Sequence, residues 1–151
     1  MVERFLRLAP REWQSIIEDC GARLVVAQPA FVSALDSVRA DLPKVRHWIV
    51  TEGAAEGWLS IPSLVKDESA ENPGIALNES APLYQMYTSG TTGKPKGAVL
   101  THASVTTNGY QALAALGPLS GPGERILVVM PMFHAGGASF VVGGVTSAST
   151  L

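Results

Sequence analysis

Hydrophobic positions in the first part of the chain switch between helical and strand spacing. Apolar residues three or four positions apart predict an amphipathic helix from Pro10 to Cys20, with a stripe of Trp13, Ile16, Ile17 and Cys20. A short apolar run at 23–27 predicts a buried strand, and the pattern at 31–42 predicts a second helix. Residues 48–50 form a second apolar run. This helix–strand–helix–strand order is typical of a parallel α/β sheet.

The pattern changes after an acidic, polar stretch at 67–79, which we interpret as a surface connection. Residues 83–88 and 98–101 are predicted to be extended, and residues 103–116 to be helical. The apolar run at 125–130, which ends at a proline, predicts another buried strand.

A long uncharged segment at the end of the chain could be either a transmembrane helix or a buried part of the fold. No Asp, Glu, Lys or Arg occurs from Ile126 to Leu151, a length that could span a bilayer. Pro131 and the glycine pairs at 136–137 and 143–144 interrupt the run. A buried strand followed by a buried helix explains the segment better, so we predict no transmembrane helix.

Composition and charge exclude several classes of protein. The 151 residues are 46% hydrophobic and 16% charged, which is typical of a globular chain. The net charge is −2, so we expect no nucleic-acid partner, which would usually require a basic stripe. The single cysteine excludes an intrachain disulfide, and no signal peptide is recognisable. These features predict a cytoplasmic protein.

The clearest chemical signal is a glycine-rich segment at 88–97. Its glycines allow tight turns that present backbone N–H groups to an anion, while Lys94 and Lys96 add positive charge. No carboxylate lies between Glu79 and Glu124. A plain surface turn would rarely combine these residue types. The residues predicted to bind a nucleotide polyphosphate are Thr88, Ser89, Gly90, Thr91, Thr92, Gly93, Lys94 and Lys96.

The spacing of this segment differs from that of a Walker A loop. Gly90 and Gly93 are three residues apart rather than five, and Pro95 follows Lys94 where a hydroxyl residue would hold Mg²⁺. These differences exclude a P-loop NTPase.

Two motifs carry a resemblance to a known family. Tyr-Thr-Ser-Gly-Thr-Thr-Gly-Lys-Pro-Lys-Gly at 87–97, followed by Ala-Val-Leu-Thr-His, closely resembles the signature of adenylate-forming enzymes, which include acyl-CoA synthetases, aryl-CoA ligases, luciferases and nonribosomal adenylation domains. Pro-Met-Phe-His-Ala-Gly-Gly at 131–137 resembles the next motif of acyl- and aryl-CoA ligases. Residues 16–25 show a weaker likeness to a helix–strand stretch that precedes the signature in such enzymes.

The resemblance implies an incomplete α/β fold, namely part of a large N-terminal AMP-binding domain with a mostly parallel sheet flanked by helices. Residues 1–78 would form the flanking α/β part and residues 79–151 the phosphate-loop part. The implied reaction activates a small-molecule carboxylic acid, fatty or aryl, with ATP and Mg²⁺, and transfers the acyl group to coenzyme A. Lys94 and His134 would be catalytic, and the acyl site would include His134, Gly136 and Gly137.

The remaining family motifs and the C-terminal domain would lie beyond Leu151, and no metal ligand is assigned here. Two interpretations stay open. The complete enzyme would be an acid–CoA ligase, whereas a truncated, non-catalytic remnant would only bind nucleotide phosphates weakly. In either case, we expect residues 1–151 alone to be inactive. A lone histidine at a strand end is often structural, and only its place in the second motif favours a function for His134.

Overall fold

The computed structural model describes residues 8–88, 95–116, 121–131 and 134–151. Two compact units divide this part of the chain after Ile75. We call residues 8–75 the sheet unit and the described residues from 76 onward the hairpin unit.

The sheet unit contains three helices and three strands. They are α1 (Pro10–Asp19), β1 (Leu24–Ala27), α2 (Pro29–Arg39), β2 (His47–Val50), β3 (Leu59–Ser60) and α3 (Ile61–Val65). Both α1 and α2 begin with a proline, which needs no hydrogen-bond partner in the first helical turn. The Glu12 carboxylate also accepts a hydrogen bond from the backbone N–H of Ala9 at 2.7 Å, at the start of α1.

The strands pair in the order β1–β2–β3, and both pairings are parallel. The register places Leu24 opposite His47 and Ala27 opposite Val50. The parallel sheet predicted from the helix–strand order is therefore confirmed for this unit.

The hydrophobic core of the sheet unit lies between the sheet and α2. Val50 is fully buried, and the remaining core members are Ala27, Leu35, Val38, Leu42, Val45, Trp48 and Trp58. The α1 stripe contributes only at its edge, because Trp13 and Ile17 are partly buried against this core. Cys20, the last residue of the predicted apolar stripe, does not belong to the core, because it is the exposed C-cap of α1.

A cluster of aromatic and charged side chains fixes the loop that precedes β3. The rings of Trp48 and Trp58 meet edge to face with centroids 5.2 Å apart, and the Arg39 guanidinium lies 5.0 Å from the Trp48 ring. The Trp58 indole donates a hydrogen bond to the Asp36 carboxylate at 2.9 Å. Arg39 also donates to the backbone carbonyl of Gly57 at 3.0 Å, so α2 holds the loop at two points.

The hairpin unit contains β4 (Pro82–Thr88), β5 (Lys96–Thr101), α4 (His102–Leu116) and α5 (Ala135–Ser147). The connection predicted at 67–79 is exposed throughout. Strands β4 and β5 pair antiparallel, in contrast to the sheet unit. At the junction of β5 and α4, Thr101 and Ser104 each accept the other's backbone N–H through a hydroxyl oxygen, at 3.2 and 3.0 Å. This reciprocal cap ends the strand and starts the helix.

Helices α4 and α5 approach each other closely at Gly109. A Cβ atom at that position would lie 3.0 Å from the Thr146 hydroxyl and 3.4 Å from the Val142 side chain. A side chain at position 109 would therefore require the Thr146 or Val142 side chain to shift.

The buried strand predicted at 125–130 is wrong. The segment makes a single parallel bridge, Arg125 with Thr150, and Leu127 and Val129 are 84% and 78% exposed. An apolar run becomes a buried strand only when other strands flank it, and the described residues supply no ladder for this one. Among those residues, none belongs to a helix both long enough and apolar enough to cross a bilayer.

Candidate active site

The β4–β5 hairpin holds the two ends of the glycine-rich segment. Thr88 and Lys96 are directly opposite each other in the antiparallel ladder, so their side chains lie on the same face of the hairpin. Both are exposed. The connecting residues predicted to bind phosphate, Ser89, Gly90, Thr91, Thr92, Gly93 and Lys94, lie outside the described residues.

Gly97 has a structural role in this hairpin that sequence reasoning did not identify. It lies opposite Tyr87, and a Cβ atom there would collide with the Gln85 amide nitrogen and come within 3.0 Å of the Tyr87 ring. The Gln85 amide in turn donates a hydrogen bond to the Tyr87 hydroxyl at 3.1 Å. The third glycine of the motif therefore makes room for cross-strand side chains, in addition to any role in turning the chain.

The second motif forms the start of α5. His134 is the N-cap of this helix rather than the end of a strand, which corrects the expected position. Its Nδ1 atom accepts a hydrogen bond from the backbone N–H of Gly136 at 3.1 Å. The same residue donates its own N–H to the Pro131 carbonyl at 2.9 Å and accepts at its carbonyl from Ala138 at 3.0 Å.

Both glycines that follow His134 are in close contact with the preceding turn. A Cβ atom at Gly137 would collide with the Pro131 carbonyl oxygen and lie 2.7 Å from that of Met130. At Gly136 it would lie 2.7 Å from the Met130 methyl group. The prediction that these glycines belong to the acyl site stays untested. The atoms closest to them are the Pro131 and Met130 backbone and the Met130 and His134 side chains.

A cleft of about 570 Å³ lies between the hairpin and the two helices of the same unit. That volume is within the range of small-molecule sites. Its lining is mainly apolar, with four side chains that carry a polar group, and comprises Leu83, Tyr84, Met86, Leu100, Ser104, Val105, Asn108, Ala135, Ala138, Ser139, Val141 and Val142.

The cleft and the loop ends share one face of the hairpin. Side chains alternate along a strand, so Thr88 points to the same side as Met86, and Lys96 to the same side as Leu100. The predicted residues thus form two groups: Thr88 with Lys96 at the hairpin end, and His134 with Gly136 and Gly137 at the start of α5. None of these five residues lines the cleft itself.

The described residues do not fit a magnesium site. They contain no group of three or more His, Cys, Asp or Glu side chains that could hold a metal ion. We therefore assign no residue to Mg²⁺ and derive no step through it.

Comparison with known proteins gives a consistent result. All 151 residues match the family model described as AMP-binding enzyme. The chain is 34% identical over 134 residues to an indoleacetate–CoA ligase of Aromatoleum aromaticum, covering 87% of this chain and 25% of that protein. It is 32% identical over 139 residues to the long-chain-fatty-acid–CoA ligase FadD13 of Mycobacterium tuberculosis, covering 90% of this chain and 26% of that protein.

A solved structure is similar over nearly the whole chain. The anthranilate CoA ligase AuaEII, in complex with anthranoyl-AMP, superposes with a TM-score of 0.75 and 26% identity over 95% of this chain and 28% of that one. The expected fold class, an incomplete part of the large domain of an adenylate-forming enzyme, is confirmed. The chain spans about a quarter of the length of the relatives it matches.

Proposed function

The chain belongs to the AMP-binding enzyme family, and we propose that the complete protein is an ATP-dependent acid–CoA ligase. It would activate a fatty or aryl carboxylic acid. Two relatives support this class, since they are named as ligases of indoleacetate and of long-chain fatty acids. The small-molecule acid is the partner expected for the site.

The proposed reaction has two steps. A carboxylate oxygen of the acid attacks the α-phosphorus of ATP, and the bond between the α-phosphorus and the bridging oxygen breaks to release pyrophosphate. The thiol of coenzyme A then attacks the acyl carbon, gives up its proton, and displaces AMP to form the thioester. Both leaving groups carry negative charge, so preorganised donors and cations would lower both barriers.

The glycine-rich segment is the proposed site of the β- and γ-phosphates. The observation that carries this proposal is the pairing of Thr88 with Lys96, which anchors both ends of the segment on a regular hairpin. A loop fixed at both ends loses less conformational entropy when it closes around a ligand. Lys94 and Lys96 would offset the developing charge on pyrophosphate, and no acidic residue from 80 to 123 opposes them.

The start of α5 is the proposed acyl side of the site. His134 would contact the reacting carboxyl group, and Gly136 and Gly137 would keep the chain close to it. Their support is the match of 131–137 to the motif of acid–CoA ligases.

Acid-dependent ATP–pyrophosphate exchange by the complete ligase tests this function. We expect Lys94→Ala and Thr92→Val each to slow exchange about 10- to 100-fold, because one charge-assisted contact contributes roughly 1.5–3 kcal/mol. Lys44→Ala, at an exposed lysine of the sheet unit, is the matched control and should exchange at the wild-type rate.

Wild-type exchange in both loop variants would contradict the phosphate assignment. Binding of ATP without exchange for any fatty or aryl acid would leave only a phosphate-binding function. If exchange does depend on an acid, comparison of arylacetic acids with long-chain fatty acids defines the substrate class.

A further inference from the structure

Backbone and side-chain hydrogen bonds together hold His134 in one orientation. Its backbone N–H and carbonyl are both bonded, to Pro131 and Ala138, and its ring nitrogen Nδ1 accepts from the Gly136 N–H at 3.1 Å. The side chain is partly buried. The imidazole is therefore fixed at its backbone end and at one ring nitrogen.

The Gly136 contact determines where the ring proton lies. A backbone N–H can only donate, so Nδ1 must carry a lone pair and no proton. In a neutral imidazole the single proton then sits on Nε2. Nε2 consequently donates a hydrogen bond and has no lone pair with which to accept a proton.

We propose that the Gly136 amide is a positioning group that makes His134 a neutral Nε2–H donor to the acyl substrate, and not a general base. The proposal rests on the ligase function above. A donor suits both steps of that reaction. It can bond to the carboxylate oxygen that does not attack phosphorus, and to the oxyanion that forms when the thiol attacks the acyl carbon. A ring nitrogen with a free lone pair would repel both oxygens.

The absence of a side chain at position 136 leaves space for the His134 ring and for Met130. A Cβ atom on Gly136 would lie 3.3 Å from Nδ1, and 2.7 and 2.8 Å from the methyl carbon and sulfur of Met130. Any larger residue would press on the ring from the side where it is held. A glycine two residues after His134 therefore allows the backbone N–H of Gly136 to form the hydrogen bond that fixes the tautomer.

A purely structural role would also explain the contact, because His134 is the N-cap of α5. Two substitutions separate the roles. His134→Asn supplies a side-chain oxygen close to the position of Nδ1 and is a strong N-cap, but it places no donor where Nε2 lies. His134→Gln can bring an amide N–H near the Nε2 position, but it is a poor N-cap.

In the complete ligase we expect His134→Asn to keep the melting temperature and to lower kcat about 10- to 100-fold, with a smaller change in KM. We expect His134→Gln to melt lower and to retain more of kcat than the asparagine variant. Full activity in His134→Asn would show that the residue only caps the helix, and would overturn the proposal.

Nitrogen NMR of the 151-residue chain tests the tautomer without any assay of activity. The chain has only three histidines, so His47→Gln and His102→Gln assign the ring signals. We expect a coupling across the hydrogen bond between the Gly136 amide nitrogen and Nδ1 of His134, with the proton on Nε2. A protonated Nδ1, or no coupling while the Ala138 amide still shows a formed helix, would overturn the proposal. Absence of acid-dependent exchange in the complete ligase, with the coupling intact in the 151-residue chain, would instead count against the ligase function.

Discussion

The two units of the chain differ in how they bury their apolar residues. All nine buried hydrophobic residues of the described structure belong to the sheet unit. In the hairpin unit the buried residues are Gly109, Gly137, Gly144 and Ser147, while Leu127, Val145 and Phe140 are 84%, 71% and 51% exposed. The sheet unit therefore has a core of apolar side chains, whereas the buried positions of the hairpin unit are three glycines and a serine, where neighbouring groups pack closely against the backbone.

The predicted chemistry belongs to the unit that lacks a side-chain core. Every residue predicted to bind phosphate or the acyl group follows position 87 in the sequence, and those that the structure describes, Thr88, Lys96, His134, Gly136 and Gly137, belong to the hairpin unit. Close backbone contacts position functional groups accurately, but they bury little apolar area and so contribute little hydrophobic free energy. We therefore expect that β4, β5, α4 and α5 alone stabilise the proposed site only weakly.

The largest loss of unfolding free energy should come from a substitution in the core of the sheet unit. Trp58→Ala removes the edge-to-face contact with Trp48 and the hydrogen bond to Asp36, and we expect a loss of about 3–5 kcal/mol in unfolding free energy. Urea denaturation followed by far-UV circular dichroism measures it. Trp58→Phe keeps most of the packing and should cost only about 0.5–1.5 kcal/mol. Equal losses in the two variants would mean that the hydrogen bond, not the core, holds the loop.

An intermediate effect should come from the backbone contact at the start of α5. Gly137→Ala places a methyl group against the Pro131 and Met130 carbonyls, which cannot rotate away as a side chain would, and we expect a loss of about 1–3 kcal/mol. Gly143→Ala in the same helix meets nothing within 4 Å and should instead gain about 0.5–1 kcal/mol. Calorimetric melting of both variants decides the point, and a stable Gly137→Ala would show that the turn at 130–131 is free to shift.

The smallest effect on stability should come from the exposed apolar segment of the hairpin unit. Leu127→Lys with Val129→Lys should change the unfolding free energy by no more than about 0.5 kcal/mol, because both side chains are in solvent. Self-association should fall strongly, since exposed apolar side chains favour contact between chains. Sedimentation velocity measures this, with Val65→Lys in the sheet unit, a residue that is 58% exposed, as the control. A monodisperse wild-type monomer would contradict the expectation.

The pattern of apolar residues predicted the helices and strands well in the sheet unit, where the core is formed by residues close in sequence. The helix that begins at Pro10 and the parallel sheet of the first unit are confirmed. The strand predicted at 125–130 is wrong, because burial depends on neighbours that the apolar pattern cannot reveal. The antiparallel pairing of β4 with β5 depends on the path of the chain between them, which composition does not encode.

The sequence motifs name candidate site residues, whose roles stay a prediction, but they do not give the arrangement of those residues. The motifs gave the residues, whereas the N-cap position of His134 and the role of Gly136 in orienting its ring required the backbone geometry. The role of Gly97 in making room for Gln85 and Tyr87 could be identified only from the pairing of β4 with β5, because the pairing shows which residues lie opposite each other.

The tryptophans and the tyrosines lie in different units. All three tryptophans, Trp13, Trp48 and Trp58, lie in the sheet unit, and all three tyrosines, Tyr84, Tyr87 and Tyr110, lie in the hairpin unit. Excitation at the red edge of the absorption band, where only indole absorbs, therefore gives emission from the sheet unit alone. A melting curve recorded by tryptophan fluorescence would describe the half of the chain that lacks the proposed site. Tyrosine emission, compared before and after nucleotide addition, is the optical signal that belongs to the other half.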